Sequence, residues 1–228
     1  MTSLIAAAAF FVLLHLLVSG TRLRTVLVGT IGEGAYMGLF SLASLAGIVW
    51  VSMAYGDARG AGQTYWDTGA AGRHASLLIQ LVAFLLIVPG LTTSNPTSVK
   101  QEGSLDRPDL IRGMLRITRH PFLWGVAIWA AGHLLVNGDG PSLLLFGSML
   151  FLGVLGTYSI DAKRARVLGP TWDAFAAQTS NVPFGAIMSG RQKLSLGEIG
   201  WWRIVLAVAI YAAVLIGHRH IFGVDPLA

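Results

Sequence analysis

His120 stands directly before Pro121 in the stretch RITRHPFLWGVAIWAAGH, which His133 closes. Arg116, Arg119 and His120 set three hydrogen-bond donors beside the start of a helix, where a carboxylate or phosphate binds readily. The plainer reading is that His120 is the extended residue before a helix opening with proline. In the first apolar stretch His15, Ser19 and Arg22 recur at i, i+4 and i+7, which places them on one helix face. His15 reads either as a neutral imidazole satisfied by a hydroxyl or carbonyl, or as a ligand to a bound group. Arg22 reads as a snorkelling cation or as a partner for a ligand carboxylate. Asp161 follows the fifth apolar stretch and precedes Lys163, Arg164 and Arg166.

The elements that carry these residues are membrane helices by composition. The 228 residues are 54% hydrophobic and 12% charged, about half the charged share of a soluble domain. There are no cysteines, so disulfides, cysteine-bound zinc, thiolate-ligated haem and a cysteine nucleophile are excluded. Six stretches, near 3–20, 35–55, 75–91, 121–137, 141–158 and 201–218, are apolar enough to span a bilayer. The third and fourth need their flanks to reach full length. The first has no basic residues before it and Arg22 and Arg24 after it, the layout of an uncleaved span rather than a leader. The fold class predicted is all-α: one integral membrane helical bundle over residues 1–228, with about six transmembrane helices.

Basic residues fall on alternate loops. Arg22 and Arg24, then Lys100, Arg107, Arg112, Arg116 and Arg119, then Lys163, Arg164, Arg166, Arg191 and Lys193 occupy loops one, three and five. Arg59, Arg73 and Arg219 lie on the other side. The positive-inside rule makes the odd loops cytoplasmic, with both termini periplasmic and a cap built from the third and fifth loops. NGDGP at 137–141 predicts a tight hairpin between spans four and five. His120 and His133 are then thirteen residues, roughly 20 Å of helix rise, apart and belong to different leaflets. His120 is at the depth of His15, and His133 at that of His74 or His218.

Weaker patterns have ordinary explanations. Glu33, Met37, Ser41 and Ser44, then Arg73, Ser76 and Gln80, then Tyr211 and His218 form stripes that read as helix contacts. The helix predicted after Gly169-Pro170, bearing Trp172 and Phe175, reads as interfacial and lipid-binding. Ser195 and Glu198 form a capping-box pattern before the last span. GDARGAG at 56–62 lacks the strand and lysine of a phosphate loop.

Four stretches carry a family resemblance: the first-span histidine, YMGLFSLASLAG, RITRHPFLWGVAIWAAGHLLVNGD and GWWRIVLAVAIYAAVLIGHRHIFG. Together they resemble the NnrU family of bacterial membrane proteins over nearly the whole chain. The resemblance implies a multi-pass protein of the bacterial inner membrane linked to nitrogen-oxide metabolism in denitrification. The family is similar to the plastid 15-cis-zeta-carotene isomerases, which bind haem b through histidines. That similarity implies haem b held by His15 and His120, with Arg22 and Arg119 near its propionates, and a redox-dependent cis–trans isomerisation. GMLRITRHPFLWG is also similar to a segment of isoprenylcysteine and phospholipid methyltransferases. There Arg116, Arg119, His120 and Asp161, followed by Gly169, Trp172, Phe175 and Pro183, would surround S-adenosylmethionine. Leu123, Trp172 and Phe175 stand where those enzymes carry tyrosine, and Asp161 is a lone acid where they carry a pair. A third reading is a non-enzymatic accessory protein. The expected partners are the lipid bilayer and a lipophilic small molecule, and not nucleic acid.

Overall fold

The computed structural model describes residues 1–227, and among these the regular structure is helical throughout. Helix α1 covers Thr2–Leu13 and continues as a π-helical segment, Leu14–Val18. After a break come α2, Leu23–Ile31, and α3, Glu33–Ala58. Helix α4 covers Gly69–Thr92, and a short α5, Met114–Ile117, precedes α6, Pro121–Val136. Helix α7, Gly140–Leu168, is followed by α8, Pro170–Gln178, α9, Gly185–Met188, and α10, Trp201–Phe222.

All six predicted spans are helical, but not all qualify alone as membrane-crossing. Helices α3, α4, α7 and α10 are long and apolar enough to cross. The first segment is bent by 81° against α2 at the break, and α6 has only 16 residues. Its sixteen residues rise roughly 24 Å, less than a bilayer core. Leu39, Leu42, Leu45 and Val49 on α3, and Trp201, Val205 and Ile216 on α10, are exposed. Such surfaces suit lipid rather than water.

Helix ends follow local chemistry. Asp139 caps α7 by accepting from the Ser142 N–H at 3.0 Å and the Ser142 hydroxyl at 2.8 Å, which makes the expected hairpin. Pro121 and Pro170 sit in the first turns of α6 and α8, where a missing N–H costs nothing. Gly169, at φ +51°, allows the sharp break between α7 and α8.

The helices pack in the order α3, α1, α7, α6, α4, α10. The Arg59 guanidinium donates to the Phe222 carbonyl at 2.8 Å and joins the end of α3 to the end of α10. Small residues let the helices approach, as is usual where lipid removes the hydrophobic drive to pack. A Cβ at Gly125 would stand 2.6 Å from Ile87 on α4, and one at Gly47 would stand 3.1 Å from Phe10 and Phe11 on α1.

The segments between α4 and α6, and between α7 and α10, fold together as a cap over one end of the bundle. Leu110, Leu115, Trp172 and Phe175 form its core. Trp172 and Phe175 are therefore buried in the cap, and the predicted lipid-facing role of α8 is corrected. Glu198 also departs from expectation. Its carboxylate does not cap its own turn but crosses to the Gly113 N–H at 2.9 Å and the Arg116 Nε at 2.7 Å.

Candidate functional site

A cavity of about 1390 Å³ lies between the helices, larger than the roughly 300–1,000 Å³ typical of ligand pockets. Phe11, Phe122, Leu123, Trp129, Phe146 and Met149 give it a largely apolar wall. It extends from His15, Ser19 and Lys163 near the cap to His133, Arg73 and His218 near the hairpin.

His15 sits in the π-helical segment, a departure from α-geometry frequent at functional sites. Its Nδ1 lies 2.8 Å from the Phe11 carbonyl, and the ring packs against Phe11 and Phe40. A carbonyl has no hydrogen to give, so Nδ1 is the donor. Nε2 then carries the lone pair, the tautomer an iron or other metal requires.

His133 is held differently. Its Nδ1 lies 2.9 Å from both the Trp129 carbonyl and the Gln80 side-chain nitrogen. The first contact needs a hydrogen on Nδ1 and the second needs a lone pair there, so its tautomer follows the Gln80 amide. The ring stacks on Phe146 at 4.6 Å. Gly132 makes room for Gln80, since a Cβ there would stand 2.6 Å from its nitrogen. Ser76 donates to the Gly132 carbonyl at 2.8 Å, so Ser76 and Gln80 of the α4 stripe make helix contacts, whereas Arg73 lines the cavity. His218 reaches the cavity and His74 does not.

Arg119, His120 and Asp161 meet away from this cavity, beneath the cap. Arg119 Nε donates to Asp161 Oδ1 at 2.9 Å, and its terminal nitrogen donates to Oδ2 at 2.5 Å. His120 Nε2 donates to Oδ1 at 2.6 Å, and the Asn181 amide donates to Oδ2 at 2.9 Å. Thr118 and Trp124 both donate to the Asn181 carbonyl. The cluster ties the start of α6 to α7 and to the cap. His120 is 2% exposed. Burial outweighs the attraction of Asp161 and holds its imidazole below the usual value of 6.5, neutral near pH 7. Its Nδ1 is buried without a partner among the described residues.

The site residues expected from the sequence thus divide four ways. His15 faces the cavity, whereas Arg119, His120 and Asp161 pair with one another. Arg116 is taken by Glu198, and Arg22 is exposed at the break before α2. Of the two histidines implied as haem ligands, only His15 offers a free Nε2 to a space of suitable size and polarity. His120 has its Nε2 on Asp161 and lines no part of that space. Trp172 and Phe175 fill the cap core. Lys163, Ser159 and Gly20 also belong to the cavity end near His15, yet nothing in their sequence spacing singles them out.

No solved structure matches the chain. It is similar to the chloroplastic 15-cis-zeta-carotene isomerase of Zea mays, 30% identical over 169 residues, covering 72% of this chain and 45% of that one. The Arabidopsis thaliana protein of the same name is 28% identical over 177 residues, covering 75% and 47%. The chain therefore spans about half the length of the curated relatives it matches. The model of the NnrU protein family matches residues 3–226, and the chain belongs to that family.

Proposed function

We propose that this chain is a membrane isomerase that turns a cis double bond of a lipophilic polyene to trans inside the interhelical cavity, with haem b held at His15. The observation that carries the reading is the free Nε2 of His15 in an apolar cavity of about 1390 Å³. The similarity to proteins named for zeta-carotene isomerisation supplies the substrate class. Isomerisation adds and removes no atoms, so the chain needs to hold an extended apolar molecule rather than supply a nucleophile. When bound, the haem supplies an iron whose oxidation state alters its hold on a conjugated double bond. The Phe11 carbonyl fixes the His15 ring, and the apolar wall keeps water from the polyene. Helix α10 packs on α4 and meets α3 at its far end through Arg59, which closes the ring of helices around the cavity at that end.

The paired cluster of Arg119, His120 and Asp161 is assigned no S-adenosylmethionine, because the Asp161 carboxylate is already taken by Arg119, His120 and Asn181. The test is the visible spectrum of protein purified after expression with ample haem, followed by chromatography of a 15-cis polyene incubated with it. The wild type is expected to show a Soret band and to convert the polyene, and His15→Ala is expected to shift and weaken the band and to lose conversion. A colourless wild type, or a His15→Ala variant with an unchanged spectrum, overturns the haem assignment. A haem-loaded wild type that leaves the polyene unchanged overturns the reaction.

A further inference from the structure

The cavity end near His15 holds a cation without an anion. Lys163 lines the cavity and is half-buried on α7. Three nearby arginines are engaged. Arg24 pairs with Glu33 at 3.2 Å, Arg164 pairs with Glu102, and Arg119 pairs with Asp161. Among the described residues no carboxylate lies within 4 Å of Lys163. An ammonium at the edge of an apolar, lipid-surrounded space is costly unless an anion or water meets it.

The groups around it form a graded wall. Ser159 lies one turn before Lys163 on α7, and Ser19 one turn after His15. Both line the cavity. Gly20 closes the space between them, since a Cβ there would stand 2.5 Å from the Ser159 hydroxyl. From mid-cavity toward the cap the polar groups are thus an imidazole lone pair, two hydroxyls and an ammonium.

We propose that Lys163, with Ser19 and Ser159, anchors a carboxylate carried on the edge of the apolar molecule that fills the cavity. The inference rests on the reading of His15 as an axial ligand and deepens it, because haem is an apolar disc with two carboxylates on one edge. Arg22 and Arg119, the cations expected from the sequence, are respectively exposed and committed to Asp161. The same chemistry is offered by a fatty acid drawn from the membrane, and the experiment separates the two sources.

The full-length protein, stripped of haem in detergent, is titrated with haemin and with haemin dimethyl ester, whose carboxylates are masked, while the Soret band is followed. A charged hydrogen bond is worth roughly a tenfold or greater change in affinity. The wild type is therefore expected to bind haemin about tenfold more tightly than the ester. Lys163→Met is expected to bind both as the wild type binds the ester, with the Soret position unchanged, and Lys163→Arg to restore the preference. His15→Ala is expected to move the band yet keep the preference for the free acid. A wild type without preference overturns the inference, as does a Lys163→Met variant that keeps it; both leave the iron at His15 intact. If no form gives a Soret band, the haem reading fails, and palmitate is compared with hexadecanol as a displacer of a fluorescent fatty acid. Preference for palmitate in the wild type, lost in Lys163→Met, keeps the anchor with a lipid acid as its source. Equal displacement overturns it.

Discussion

Arg119 and Lys163 stand near the same end of α6 and α7, yet their surroundings are opposite. Arg119 finds Asp161, and Asp161 also gathers His120 and Asn181, so the polar atoms of one carboxylate are fully used. Lys163 faces the cavity end that Ser19 and Ser159 line, and among the described residues no carboxylate lies within 4 Å of it. A buried polar network whose charges are paired fixes structure and offers a charged ligand little. A polar wall with an unmatched charge and an imidazole lone pair has binding capacity to spare. Residue type alone would rank the two alike, and the Arg119 cluster, with its contiguous Arg-His-Pro, even draws more notice in the sequence. The difference lies in which partners each side chain reaches.

The largest expected effect is on the paired cluster. Asp161→Ala strands a guanidinium that is 12% exposed, and loss of one partner from such a pair costs about 3–5 kcal/mol. Thermal unfolding in detergent should show it, and a loss below about 1 kcal/mol would mean that the cluster does not fasten the cap. His120→Ala removes one donor and is expected to cost about 1–3 kcal/mol while leaving any Soret band in place. A shift in that band matching that of His15→Ala would put His120 on the iron and dissolve the contrast between the two regions.

Acid should separate contributions by pH. His120 is held below 6.5, so the unfolded chain takes up its proton first. Its contribution is complete above pH 6.5 and is lost as pH falls from there. The Arg116 guanidinium and the Gly113 N–H lower the Glu198 carboxyl from 4.5 to about 2. That contribution is present above pH 4.5 and is lost as pH falls toward 2. Unfolding midpoints measured from pH 8 to 3 should therefore fall in two stages. Asp161 and Glu102 are also held below their usual values and share the lower stage, so Glu198→Gln should make that stage shallower and leave the upper one unchanged, and a variant that flattens the upper one would place the coupling elsewhere.

The smallest stability effect is expected at His15, whose one hydrogen bond is to a carbonyl on its own helix. His15→Ala should change stability by less than about 1 kcal/mol while moving the Soret band. A loss as large as that of Asp161→Ala, with no spectral change, would make His15 a packing residue.

The sequence alone determined the helical class, the places of the six apolar segments, the hairpin at Asp139 and the gathering of basic residues at one end. These properties are local: hydropathy over some twenty residues, a proline and an Asx-Gly turn, and loop charge. It also fixed His15 and Ser19 on one face, since their spacing is a single turn. It did not determine which faces meet. Helices α3 and α10 are apolar nearly all round, so no amphipathic stripe sets their rotation. Only the packed bundle brought Asp161 to residues 119 and 120, and Glu198 to Arg116, each across long stretches of chain. The same packing buried Trp172 and Phe175, which composition alone assigned to lipid. It also left Lys163 beside an open space. Whether a charged residue is paired or free depends on contacts between helices, and for those the order of residues along one helix carries no signal.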